Sequence, residues 1–425
     1  MNSLVAGIDL GTTGARVVVM TPSLEIVAQG AAGLDQRGTR AQSPQAWWQA
    51  VETALKQAVS GIDRTSIRAI AVDATSGTVL PVDAEGNPLA QPLMYNESVR
   101  DEAVHERIAS VIAGESAAHG PTSGLAKALA FQDIPDVKKV LHQADWIAGR
   151  FTGRFDTSDE NNALKTGYDP IERRWPEWIA ATGLPLDLLP RVETPGTPIG
   201  LLAPPIAKAF GLAEDVAVIA GTTDGCASFL ATGATEAGDG VTILGSTLTL
   251  KLLCERPVFA PRFGVYSHRI NGLWLAGGAS NTGGKVLSQY FTGEEIMRLS
   301  KEIDPLTETG LDYYPLSKPG ERFPVMGPDL LPRLTPRPAS DAQFLKAMLE
   351  GIASIEKSGY DQLTALDAPA LRSVRTVGGG AGNPAWTAMR RHRLGVPFLA
   401  VASEQAAAGA ARLALRGLQS RGTPA

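Results

Sequence analysis

Gly7-Ile8-Asp9-Leu10-Gly11-Thr12-Thr13-Gly14-Ala15-Arg16 is the stretch from which the rest of the chain is read. An apolar run from Leu4 delivers Asp9 to the edge of a tight turn, and apolar sequence resumes at Val17-Val18-Val19-Met20. The pattern is strand, glycine-rich turn, strand. Gly11 and Gly14 let backbone amides approach an anion, and Thr12 and Thr13 add hydroxyl donors. Beside such a turn a carboxylate meets phosphate as a like charge, so Asp9 suits a bridging Mg²⁺ rather than phosphate itself. The same residues also describe an ordinary β-hairpin with a Gly-Thr turn, and the pattern alone leaves both readings open.

Outward from this turn, Ser43-Pro44 opens a helical stretch to Val59, with Ser43 as cap and Pro44 in the first helical position. Ile67 to Val72 reads as a third strand, and Thr78 to Val82 as a strand entering the turn Asp83-Ala84-Glu85-Gly86-Asn87. Residues 100–180 read as mostly helical and polar, anchored by Trp146, Trp175 and Trp178, and Pro190 to Pro205 as connecting loop. Val216 to Ala220 is a short strand running into Gly221-Thr222-Thr223-Asp224. The chain then restarts. Val241-Thr242-Ile243-Leu244 leads into Gly245-Ser246-Thr247, and Leu248 to Leu253 continues as strand. Gly11 and Gly245 become equivalent points in two copies of a βββα-type domain, too long a repeat for a solenoid, with both turns facing one cleft. Further on, Pro315 to Pro338 is irregular and Asp341 to Leu366 helical. Val374 to Val377 is a strand entering Gly378-Gly379-Gly380-Ala381-Gly382, followed by a helix at Pro384–Leu394 and a strand at Pro397–Val401. Glu404 to Leu418 is an Ala-rich helix. About the last seven residues are expected to fray.

Composition narrows the function classes. At ~150 residues per domain, 425 residues make two or three domains. Hydrophobic residues at 44% and charged residues at 20% match a globular chain rather than a disordered one. With Lys plus Arg at 39 against Asp plus Glu at 44, the net charge of -5 argues against a coat for nucleic acid or acidic membranes. Two cysteines, Cys226 and Cys254, exclude a disulfide scaffold and a Cys-rich metal site. No apolar run reaches the ~18 residues of a spanning helix. The start carries no basic region or small-residue cleavage site, so the expectation is a cytoplasmic protein without a secretory signal.

Other motifs are two-sided. Asp224 precedes the helix-like Gly225 to Leu230, where Asp is a preferred cap. A strand end is also where α/β proteins place a general base. Gly378 to Gly382 could be a dinucleotide fingerprint, yet Asn383 stands where the third glycine is required. A glycine-rich turn against which flat adenine lies fits better. Gly278-Ala279-Ser280-Asn281-Thr282-Gly283-Gly284-Lys285-Val286 fails as a P-loop, since Ala279 replaces a glycine and Val286 the Ser or Thr that would hold Mg²⁺. A helix start packed against another backbone is the reading there. The five histidines show no metal spacing, and no nucleophile elbow surrounds Ser76 or Ser246.

Together, over the whole chain, these segments resemble the FGGY carbohydrate kinases, relatives of actin, hexokinase and the heat-shock ATPases. Asp9 to Arg16 looks like the first phosphate motif and Leu244-Gly245-Ser246-Thr247-Leu248-Thr249 like the second. Thr376 to Trp386 looks like the adenosine motif, and Ala220 to Gly225 like the segment holding the family's catalytic aspartate. Val72-Asp73-Ala74-Thr75-Ser76-Gly77-Thr78, with Leu93 to Glu97 and Arg100, resembles the ketose-binding region of xylulokinases. It looks closest to a short cyanobacterial and plant-plastid branch whose members act on D-ribulose or were called xylulose-kinase-like. Gly77 stands where xylulokinases have histidine, and Tyr95 and Glu97 where they have Trp and Asp.

The resemblance implies an α/β chain of two actin-like ATPase (ribonuclease H-like) domains around a central cleft. The first spans residues 1–231 and takes back the helix near 404–420; it binds sugar and phosphate. The second spans 232–403 and binds ATP. ATP and Mg²⁺ are the implied cofactors, and a small-molecule sugar the partner, in a monomer or homodimer. Asp224 would accept the sugar hydroxyl proton and Asp9 would hold Mg²⁺, both beside the sugar. Gly11, Thr12 and Thr13 with Gly245, Ser246 and Thr247 would grip the phosphates; Gly379, Gly380 and Asn383 would hold adenosine. Ser76, Gly77 and Asn96 would contact the sugar. The expected acceptor is a ketopentose, D-ribulose, with D-xylulose or a polyol as alternative. An actin-like ATPase without a sugar pocket is the rival from another class, disfavoured by the Asp73 to Arg100 segment. A dinucleotide oxidoreductase is disfavoured by Asn383.

Overall fold

The computed structural model describes residues 3–35, 42–112, 114 and 116–421. It divides into two units, the first comprising 1–231, 268–271 and 405–425 and the second 232–267 and 272–404.

Among the described residues of 1–231 the strands are β1 (Leu4–Leu10), β2 (Gly14–Met20), β3 (Ile26–Gly33), β4 (Ile67–Ala74), β5 (Val79–Val82), β6 (Lys139–His142), β7 (Thr157–Asp159), β8 (Arg191–Glu193), β9 (Pro198–Leu201) and β10 (Ala217–Thr223). Six form one sheet in the order β3-β2-β1-β4-β10-β9. β1 and β2 form the expected antiparallel hairpin. β4 runs parallel to both β1 and β10, and a parallel centre buried on both faces explains the continuous apolar runs there. One face packs on the helix Pro44–Ala58, which buries Trp47, Trp48, Val51 and Leu55. The other face is covered by the helix Ala406–Arg421, which comes from the far end of the sequence.

The second unit repeats this plan. Its strands are β11 (Asp239–Leu244), β12 (Leu248–Cys254), β14 (Leu273–Ser280) and β15 (Ser373–Val377), together with β13 (Tyr266–Ile270), which belongs to this unit only through residues 266 and 267. The sheet order is β13-β14-β12-β11-β15. β11 pairs antiparallel with β12, β12 antiparallel with β14, and β11 parallel with β15. This matches β1, β2, β3 and β4 strand for strand, so the turns at Gly11 and Gly245 occupy the same place in the two copies.

Several local readings change. Residues 26–33, to which the sequence reading assigns no element, form β3, whose half-exposed alternation of small residues carries little apolar signal. The strand at 67–74 is therefore the fourth. The segment 190–205 contains β8 and β9, and Pro198 is tolerated because β9 lies at the sheet edge. Residues 100–180 hold short strands β6 and β7 among their helices. Ser43 precedes the first helix without a side-chain cap bond; its hydroxyl donates to Gln45 instead. Residues 397–401 make no strand, only a single bridge from Phe398 to Val374. The last helix runs through Arg421, into the stretch expected to fray, and 422–425 lie outside the described residues. Cys226 and Cys254 are buried and unbridged. Among the described residues no helix is long and apolar enough to cross a membrane.

Candidate active site

In the first unit, three carboxylates meet at the C-terminal ends of three neighbouring parallel strands. Asp9 near the end of β1 lies in register with Asp73 near the end of β4, and paired parallel residues share a face. On the other side of β4, Asp73 is in register with Thr222 of β10, and Asp224 follows two residues later as the first residue of the helix Asp224–Ala231. The β4–β10 register shifts between Ile219 and Thr222. Gly221 permits this, since a β-carbon there would stand 1.7 Å from the Val72 carbonyl oxygen. The irregularity turns the end of β10 so that Asp224 follows at the sheet's carboxyl edge.

Their environments differ. Asp73 is fully buried, and no protein donor reaches either of its carboxyl oxygens. Burial first, then the charges of Asp9 and Asp224, hold it well above the usual carboxylate range. Asp9 is also raised, chiefly by burial and secondarily by Asp224, while the Asp73 hydrogen bond and the Arg16 guanidinium pull it back. Arg16 faces Asp9 across the β1–β2 pair with 3.9 Å between charged atoms and is largely exposed. The Asp224 carboxylate is half-buried and accepts from the Gly225 amide at 2.7 Å. The turn beside Asp9 is closed by the Gly11 amide donating to the Gly14 carbonyl at 3.0 Å, leaving Thr12 and Thr13 exposed.

Residues 75–78 follow directly from β4. The Thr75 amide and hydroxyl donate to Gln143 Oε1, and the Thr75 and Thr78 hydroxyls lie 2.9 Å apart. The Tyr95 amide donates to Thr78 Oγ1 at 3.1 Å. Lys127, fully buried on the helix Gly124–Phe131, donates from Nζ to the carbonyls of Gly77 and Met94, each at 2.7 Å. One ammonium thus ties the two segments that carry Ser76, Gly77 and Asn96. Gly77 has φ +86, in the left-handed region that favours glycine, so the absence of a larger residue there has a backbone cause. Ser76 Oγ is buried without a protein partner, and Asn96 is exposed.

The second unit holds a cavity of about 550 Å³ that draws together three distant stretches: 244–246, 284–297 and 379–386. Gly245, Ser246, Gly379, Gly380 and Asn383 line it; Thr247 is not on its wall. Asn383 is occupied structurally. Its Oδ1 caps the helix Pro384–Leu394 at the Trp386 amide, and its Nδ2 donates to Ser300 at 2.8 Å. Behind the wall, Arg390 forks onto Glu356 at 2.6 and 2.7 Å and donates to Thr376 at 3.0 Å, while the Thr242 hydroxyl donates to Glu356 at 2.6 Å. This buried network ties β11 and β15 to the helices Asp341–Ala365 and Pro384–Leu394, and β11 and the second of these helices contribute Leu244 and Trp386 to the cavity wall.

Sequence reading singled out Asp9, Asp224 and the glycine turns. It missed Asp73, Lys127 and Lys285. Asp73 lay inside a quoted segment, and its meaning comes from strand register. Lys285 was set aside with the failed P-loop.

Residues 4–118 and 130–231 match the N-terminal domain of the FGGY family of carbohydrate kinases, and residues 234–418 match its C-terminal domain. Among curated relatives, the xylulose kinase of Escherichia coli (strain K12) is 26% identical over 90% of this chain and 83% of its own length. The ribulokinase of Halalkalibacterium halodurans is 27% identical over 46% of this chain and 40% of its own. A crystal structure titled as a xyloylose kinase from Brucella ovis superposes with a TM-score of 0.86 at 22% identity, covering 98% of this chain and 91% of that one. With both family domains matched in order along nearly all of its length, the chain belongs to the FGGY family of carbohydrate kinases and is a phosphotransferase with an alcohol group as acceptor.

Proposed function

We propose that the protein transfers the γ-phosphate of ATP to a hydroxyl of a ketopentose, D-ribulose. The observation that carries the phosphoryl-transfer reading is the set of carboxylates at the ends of β1, β4 and β10 beside an amide-lined turn. Phosphoryl transfer asks the protein for alignment and charge neutralisation more than for covalent help. Asp224 is the general base that takes the proton of the acceptor hydroxyl. Asp9 and Asp73 bring acidic groups to that end of the sheet, and burial of both raises the cost of charging them together.

The donor set at Asp9 fits Mg²⁺. A nearly buried carboxylate is available beside an acid that has no protein donor. Among the described residues no cluster of three or more His, Cys, Asp or Glu could hold a metal unaided. Mg²⁺ is commonly held by one or two carboxylates, with phosphates and water completing its shell. When bound, it offsets charge on the phosphoryl oxygens. Residues 11–13 and 245–247 supply amides and hydroxyls to the phosphates. Gly379 and Gly380 form the adenosine wall, with Asn383 shaping it. Ser76, whose hydroxyl has no protein partner, and Asn96 contact the sugar across Gly77.

D-ribulose is favoured because Gly77 stands where xylulokinases have histidine, in a segment that resembles the ribulose-active branch. D-xylulose is the second reading, supported by relatives named xylulose kinase. The two sugars differ in configuration at one carbon. Discrimination therefore comes from hydroxyl pairing, which can reject a mis-set group strongly. Comparing kcat/KM for both at one ATP concentration tests this, with D-ribulose expected to lead. A clear D-xylulose preference reverses the sugar assignment. No acceleration by any ketose or polyol removes the ketopentose reading.

A further inference from the structure

Lys285 supplies the one ionisable side chain on the wall of the second unit's cavity. The surrounding wall is glycine, serine, asparagine and apolar residues such as Leu244, Ile296 and Trp386. Among the described residues its ammonium makes no ion pair or hydrogen bond, whereas its backbone is firmly held. The Lys285 amide donates to the Ser246 carbonyl at 3.1 Å, and the preceding Gly284 amide donates to the Gly245 carbonyl at 2.9 Å. Contact between the two segments is direct: a β-carbon on Gly283 would stand 2.7 Å from Thr247 Cα. A positive charge is therefore mounted beside the 245–247 turn, on an exposed residue at a cavity wall where no other described residue is ionisable.

We propose that Lys285 is the cationic contact for the phosphate chain of the nucleotide, and so a residue that selects phosphorylated nucleotides over the bare nucleoside. This rests on reading the cavity as the nucleotide site. Glycine-lined walls and apolar side chains suit a flat base and carry no charge selectivity. A compact ammonium with three donors meets phosphate oxygens as a point charge and needs no fixed plane to do so. The contribution grows with the number of phosphates and vanishes for adenosine.

Calorimetric titration of adenosine, AMP, ADP and ATP into wild type, Lys285→Met and Lys285→Arg tests this. The main-chain bonds of residue 285 do not involve its side chain, so the variants keep the turn. Lys285→Met should weaken ADP and ATP ~10–100-fold, as expected for loss of a charge-assisted contact, with adenosine unchanged. Lys285→Arg should stay close to wild type for all four, and the salt dependence of ADP binding should flatten in Lys285→Met. If Lys285→Met binds ADP as wild type does, or loses adenosine and ADP equally, Lys285 has no phosphate role while the nucleotide reading stands. If wild type binds none of the four, that reading fails and the proposal falls with it.

Discussion

Asp224 stands where a helix begins and a strand ends, and an aspartate there has two physical uses. As a cap it would stabilise the helix Asp224–Ala231, and its loss would cost ~1 kcal/mol with turnover intact. As a base it contributes to the rate and little to stability. Its carboxylate accepts from the amide of Gly225, the very next residue, and stands half-exposed at the sheet's carboxyl edge. Asp224→Asn is therefore expected to lower kcat ~10²–10⁴-fold. ADP affinity and melting temperature should stay near wild type. Steady-state turnover and thermal unfolding on one preparation separate the two uses, and normal turnover with a lowered melting temperature would make Asp224 a cap. Asp9 and Asp224 were legible in the sequence because glycine and threonine flank them. Asp73 was not, since Ile67–Ala74 reads as a plain apolar strand. Its significance appears when β1 and β10 are laid against it in register.

Among the elements, the helix Gly124–Phe131 reads in sequence as ordinary apolar filling. Its one lysine gives it a different role, because Lys127 holds the carbonyls of Gly77 and Met94 from two separate segments. Lys127→Met leaves both carbonyls without that donor. A buried acceptor left unpaired costs about 1–3 kcal/mol. The expected result is a lower melting temperature and a raised KM for the sugar, with KM for ATP near wild type. The pH dependence has a definite sign. Burial, against a smaller lift from Glu97, pushes Lys127 down from 10.5 to about 8 in the folded chain. Between these values the unfolded chain holds a proton that the folded chain has released, so stability from this group rises with pH across that window. The difference in unfolding free energy between wild type and Lys127→Met should widen from pH 8 towards 10.5. A constant difference would mean that Lys127 does not titrate there. Strand β3 escaped the sequence for another reason: half-exposed at the sheet edge, it needs no apolar face to stay paired.

At the scale of the whole chain, the first sheet is closed by residues almost four hundred positions away from its first strand. The Ala-rich stretch after Glu404 is legible as helix from propensity alone, but propensity does not say why the residues are small. The structure does: Ala407, Ala408, Ala410 and Ala411 are fully buried, and backbone lies directly on backbone. A β-carbon on Gly7 of β1 would stand 2.0 Å from the Ala407 carbonyl oxygen, and one on Gly409 would stand 1.9 Å from the Ala227 carbonyl oxygen. Gly409 thus gives a prediction whose sign opposes the usual rule. Glycine inside a helix is normally the weak choice, and Gly→Ala gains ~1 kcal/mol. Here the added methyl meets a carbonyl of the helix Asp224–Ala231, whose first residue is Asp224, and neither backbone can yield without moving the other. Overpacking of this kind costs ~1–3 kcal/mol. Gly409→Ala should therefore lower the melting temperature. Hydrogen exchange should show lost protection in β1 and in the helix Asp224–Ala231, because those are the elements the last helix lies against. Since the helix that moves is the one that begins with Asp224, turnover should fall alongside stability. A stabilised Gly409→Ala protein would mean that the helix is held by its own propensity, and that the small residues along it are there for helix formation rather than for the close approach.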